Sequence, residues 1–165
     1  MSVTQDIVAT YKGPRRVIAR RLAMGLQENR LLALVMAGCA LTFIANMPVR
    51  AREAHLTGDD LNMLLGASLL GLIFIAPLLL YGLAQITHWL ARLLRGRGDS
   101  AQARLALFWA FLAASPLMLL RGLVAGFIGP GLELTLVGGL WFILFLWFWT
   151  SGLIQAYWVQ PPVRG

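Results

Sequence analysis

Four long apolar runs, at 31–47, 61–90, 105–127 and 132–153, are separated by short polar stretches along this chain. About 20 apolar residues carry a helix across the hydrocarbon of a bilayer, so each run predicts one span. The first is slightly short and the second is long. At ~1.5 Å of rise per residue the second would reach roughly 45 Å, which calls for tilt, a bend at Pro77 or projection past the lipid. Thr57-Gly58-Asp59-Asp60 ahead of it suits a helix start, with acids at the positive end of the dipole. Ala76-Pro77 and Ser115-Pro116 predict bends near mid-span. The predicted fold class is all-α, a polytopic transmembrane helical bundle of about four spans.

Ahead of the first run the pattern changes. Ser2-x-x-Gln5 has the form of a capping box, predicting a helix over 3–12 that stops at Gly13. Pro14 suits the first turn of a second short helix, ending at Gly25. On that helix Ile18 and Leu22 share a face, Arg16 and Arg20 lie roughly opposite, and Arg15 and Arg21 flank the apolar side. Two readings fit equally: a basic amphipathic helix in the headgroups of an anionic membrane, or the ordinary excess of positive charge beside a span. The expected organisation is a cytoplasmic basic amphipathic segment at 1–30, a transmembrane bundle at 31–158 and a short cytoplasmic tail at 159–165.

Composition agrees with the pattern. Of 165 residues 59% are hydrophobic and 13% charged, with a mean hydropathy of +0.73, which excludes an ordinary soluble domain. The polar stretches are too short to build a soluble core of their own. Cys39 is the single cysteine, so no intrachain disulfide forms. Met36-Ala37-Gly38-Cys39 has the look of a lipoprotein cleavage site, but the long polar lead and the apolar residues that follow do not fit one.

A net charge of +7 would suggest nucleic acid for a soluble protein; here its placement points elsewhere. Residues 1–30 carry a net +4 and the stretch between the second and third runs, with Arg92, Arg95 and Arg97, a net +3, whereas 48–60 carries a net −1. By the positive-inside rule both termini are expected in the cytoplasm of a bacterial inner-membrane protein. Trp89, Trp109 and Trp158 then fall near the cytoplasmic interface, where indole rings prefer to sit. Arg15, Arg16, Arg20, Arg21, Arg92, Arg95 and Arg97 are the expected lipid-facing basic surface.

The ionisable pair Arg121 and Glu133 is the exception to an apolar second half. Arg121 follows Arg104 by about 25 Å of helix, near the far edge of the hydrocarbon. It is expected either to reach the headgroups and pair with Glu133 across the Gly129-Pro130-Gly131 turn, or to attract a ligand or ion. Ala106, Ala110, Ala114, Gly122 and Gly126 form a ridge of small residues that would let a helix approach closely, within the chain or in a partner. Trp141, Phe145 and Phe148 form an aromatic stripe suited to bundle core, lipid or a neighbouring helix. His88 has no second histidine or acid nearby and reads as an interfacial side chain rather than a metal ligand.

No H-E-x-x-H, P-loop, G-x-S-x-G or Cys-x-x-Cys occurs, and none of the seven acids lies mid-span. An enzyme and an autonomous transporter are therefore both disfavoured, and no cofactor is expected. The expected partners are anionic lipids and other integral membrane proteins or a second copy, not nucleic acid.

Gly13-Pro14-Arg15-Arg16-Val17 before the spans, Ala76-Pro77 with Tyr81-Gly82, Ala103-Arg104-Leu105-Ala106 and Ser115-Pro116 resemble the Yip family of multi-span membrane proteins, named for interaction with Ypt/Rab GTPases. The resemblance extends from about residue 5 to about 155 through short motifs. It implies a cytosolic N-terminus, one span more than the pattern shows, and a non-enzymatic role in membrane organisation. It assigns no functional residue. The function expected from the whole reading is a non-catalytic membrane scaffold, organiser or accessory subunit. The alternative is a small-molecule or anion transporter or channel component with Arg121 near its path.

Overall fold

The computed structural model describes residues 2–159. It is an all-α bundle, and no strand occurs among the described residues. Eight helices follow one another: α1 Val3–Lys12, α2 Pro14–Ala23, α3 Glu28–Thr57, α4 Leu61–Leu70, α5 Ala76–Leu93, α6 Ser100–Ala113, α7 Ser115–Leu123 and α8 Leu132–Tyr157. Wider π turns at Gly71–Ile75 and Val124–Ile128 join α4 to α5 and extend α7. Four continuous helices result that are long and apolar enough to cross a membrane: Glu28–Thr57, Leu61–Leu93, Ser100–Ile128 and Leu132–Tyr157. The chain is a multi-pass membrane protein in this sense.

Local chemistry accounts for the boundaries. Ser2 and Gln5 form the reciprocal capping box of α1, and Pro14 opens α2, where its missing N–H costs nothing. Gly58 closes α3 with φ +79°, and Asp60 caps α4 by accepting from the Asn62 N–H. The expected bend at Pro77 is spread over the preceding π turn, because the proline ring crowds the carbonyl four residues back and removes a donor. At Ser115-Pro116 the third span stays helical on both sides but makes a single turn at Ala114, between α6 and α7. There the Leu117 N–H turns to the Ala114 carbonyl, 3.1 Å away.

Helix α6 is the axis of the bundle: every residue from Leu105 to Ala110 is buried. It packs on α3, α5 and α8, and also on α1 and α2. Val17 and Ile18 of α2 belong to the same core as Val35, Cys39, Phe108 and Phe148. The segment 1–30 thus contributes to the bundle rather than forming a layer beneath it. Leu22 packs onto a smaller cluster of Ala91, Ala103, Ala156 and Tyr157, which fixes the end of α2 beside the 94–99 loop.

The small-residue ridge is consumed inside the chain. A Cβ on Gly122 would lie 1.8 Å from the Ala45 carbonyl oxygen, and one on Gly126 would lie 2.4 Å from Pro48 Cβ. The third span therefore touches α3 nearly backbone to backbone, by close packing in the absence of a hydrophobic drive within lipid. Ala106, Ala110 and Ala114 are wholly buried, with Ala106 facing Gly152 of α8.

Candidate functional site

The most developed polar assembly joins the α1–α2 hairpin to the bundle. Asp6 is 3% exposed, in a segment dominated by basic residues. Its carboxylate accepts from Arg20 and, at 2.7 Å, from Arg21. The Arg21 guanidinium lies 3.7 Å above the Trp109 ring, a cation–π contact. Burial lowers the Arg21 pKa, opposed by the charge of Asp6 and its hydrogen bond. Trp109 donates its indole N–H to Thr10 Oγ1 at 3.0 Å, and the Thr10 hydroxyl in turn donates to the Asp6 carbonyl at 2.7 Å. Tyr11 completes the latch by donating at 2.9 Å to the Ala113 carbonyl, the group set free by the turn before Pro116. Its ring meets Phe148 edge-on, with centroids 5.0 Å apart.

Two sequence expectations are corrected here. Arg21 does not face lipid: its side chain is 13% exposed, because a buried acid one helix away offers a stronger partner than headgroups do. Trp109 does not present its ring to the surroundings: it is 1% exposed, since the hairpin covers it and its N–H finds an internal acceptor. Trp89 and Trp158 remain exposed. Arg20 is shared between Asp6 and the surface, with a side chain 40% exposed. Arg15 and Arg16 are exposed, as are Arg92, Arg95 and Arg97.

Those last three arginines belong to a clasped end of the bundle. Arg97 donates its backbone N–H to the Tyr157 carbonyl at 3.0 Å, and the Tyr157 hydroxyl donates to the Asp99 carbonyl at 3.0 Å. His88 Nδ1 lies 2.6 Å from that hydroxyl. Because the phenol has one proton and the carbonyl can only accept, His88 donates through Nδ1. Gly96 and Gly98 leave room for the Tyr157 ring, where a Cβ would come within 2.7 and 2.8 Å of it. His88 is thereby a structural hydrogen-bond donor. No cluster of three or more histidines, cysteines or acids suited to a metal occurs among the described residues.

At the opposite end of the bundle the expected Arg121–Glu133 pair does not form. Glu133 is exposed and turns back toward Gly131, at the positive start of its own helix. Arg121 instead lies along Gly138, its Nε 3.4 Å from where a Cβ would stand. Five residues, or about 7.5 Å of rise, separate the two positions on α8. Arg121 has no ion pair or hydrogen bond among the described residues. Arg50, by contrast, donates to Ser68 Oγ at 2.8 Å and pairs with Glu53, and Arg52 donates to the Gly126 carbonyl at 3.3 Å. In the aromatic stripe, Trp141 stacks on Phe145 at 5.4 Å while Phe145 and Phe148 are buried; it is core, not an outward contact.

Sequence reasoning missed Asp6, Thr10 and Tyr11. The signal was the i, i+4 pair Asp6 and Thr10 on one face of a helix otherwise read only for its arginines.

The Tyr11 latch has a pH signature. Burial raises the Tyr11 pKa above the ordinary tyrosine value of about 10. Its neutral phenol therefore supports docking fully below pH ~10, and that contribution is lost as pH rises through the raised value. Tyr11→Phe is expected to cost about 1 kcal/mol at neutral pH by leaving the Ala113 carbonyl unpaired. It should also remove the alkaline loosening. Tryptophan emission followed from pH 8 to 12 in both proteins checks this: identical profiles would contradict the latch.

These features define a four-span helical membrane protein with a docked basic N-terminal hairpin. No protein-family model, curated protein or solved structure matches the chain.

Proposed function

We propose that this chain is a non-catalytic integral protein of a bacterial inner membrane, acting as a scaffold, organiser or accessory subunit. In this reading both termini lie in the cytoplasm, and the protein stands with the Yip-like membrane proteins that its motifs resemble. The observation that carries the reading is the exposure of basic side chains on two joined elements. Arg15 and Arg16 on the hairpin and Arg92, Arg95 and Arg97 on the clasped loop are exposed, and Leu22 of the hairpin packs on the cluster that holds Tyr157. Such a surface meets an anionic leaflet at roughly 1 kcal/mol per cation. Meanwhile the small-residue ridge and the aromatic stripe are occupied by internal packing, so partners would be met on the remaining lipid-facing helices.

Cross-linking in native membranes, followed by mass measurement of the purified species, tests the proposal. A discrete assembly, of this chain with itself or with other membrane proteins, is the expected outcome. A chain that stays monomeric in the membrane would sink it.

A second reading, passage of a small anion, is favoured by one observation, the partnerless Arg121 near the far end of its span. It requires anion flux in proteoliposomes that Arg121→Gln abolishes while the protein stays folded.

A further inference from the structure

The hairpin's two longest-range bonds reach Trp109 and Ala113 of the third span. Its outward side carries the exposed Thr4, Gln5, Lys12, Arg15 and Arg16, together with exposed Val3 and Val8.

A cleft of about 240 Å³ opens on this side, lined by Ala9, Lys12, Gly13, Arg16, Val17 and Arg20. Three of its six lining residues are cations and none is an acid. Asp6 faces inward, toward Arg20 and Arg21, and holds Arg20 in place as one wall.

We propose that this cleft binds the phosphate of an anionic phospholipid through Lys12 and Arg16. The proposal deepens the membrane-organising reading and rests on it for one premise, that the basic surface meets a headgroup layer. It supplies a counter-charge for Lys12 and Arg16, which line a cleft that holds no acid. The cleft's apolar residues, Ala9 and Val17, are too small to hold acyl chains, which stay in the bilayer; the recognised group is the phosphate.

Native mass spectrometry of the detergent-solubilised full chain with added phosphatidylglycerol or phosphatidylethanolamine tests the site. Preferential retention of phosphatidylglycerol is expected, reduced about tenfold or more in the double variant Lys12→Gln, Arg16→Gln. Arg92→Gln with Arg95→Gln should leave most of that preference. Equal retention of both lipids, or retention unchanged by the first double variant, overturns the proposal, as does full competition by soluble glycerol phosphate.

The readout does not depend on oligomeric state, so a failed lipid site is distinguishable from a failed scaffold.

Discussion

Asp6→Ala is expected to unseat the N-terminal hairpin and to cost about 3–5 kcal/mol, the usual penalty for leaving a buried charge without its partner. The exposed charge would be that of Arg21, whose side chain is 13% accessible and whose Nε already lacks a partner. Arg20 contributes less, because its side chain is 40% accessible and water screens it. Asp6→Asn keeps the shape and drops the charge, so it should fall near the alanine variant if electrostatics dominate. Replacing the pair together, Asp6→Leu with Arg21→Met, should recover much of the loss, since an apolar pair of similar volume removes the desolvation penalty altogether. Unfolding in mild detergent, followed through tryptophan emission, reads the effect because Trp109 lies under Arg21 and bonds to Thr10. Coincident unfolding of the wild type and Asp6→Ala would refute the buried network.

Gly122→Val should be comparably damaging, at about 3 kcal/mol, the upper end of ordinary overpacking. The atoms a Cβ would strike are the carbonyl oxygen, carbonyl carbon and Cα of Ala45, at 1.8, 2.7 and 3.1 Å. Backbone cannot rotate aside as a side chain does, so α3 and the third span would have to separate along the whole seam. Gly126 repeats the contact against Pro48 one turn on, and displacement at one position opens the other. Gly139 is the internal control, with nothing within 4 Å of its Cβ position. Gly139→Ala is expected to be neutral or to stabilise α8 by up to about 1 kcal/mol. Thermal unfolding of both variants in the same detergent decides the matter, and equal effects would remove the seam from the account.

The elements were legible in the sequence because their causes are local. Apolar runs of bilayer length, the Ser2–Gln5 box, Pro14 at a helix start and Pro116 at a bend act within one turn of themselves and mark the elements found, except that the helix of the first run continues from 47 to Thr57, through Pro48 and the polar residues after it. Partner choice was not legible. Arg21 looked like its neighbours Arg15 and Arg16, and only the hairpin's fold brings Asp6, fifteen residues away, against it. Trp109 has an interfacial position along the span, yet its surroundings depend on α1 and α2 docking there. Proximity along a turn suggested that Arg121 would meet Glu133, but their places on successive helices differ by more than a full turn. The GxxxG ridge was visible as composition; its partner, the Ala45–Pro48 stretch, could be known only once two helices were laid side by side.

The Tyr11 latch sets a timetable for biogenesis. Tyr11 and Ala113 are 102 positions apart, and a ribosome adding about 5–20 residues per second takes roughly 5–20 s to cover that interval. Until then the hairpin has no berth on the third span, so its docking cannot precede the synthesis of that span, and the contact of Tyr11 with Phe148 waits for α8 as well.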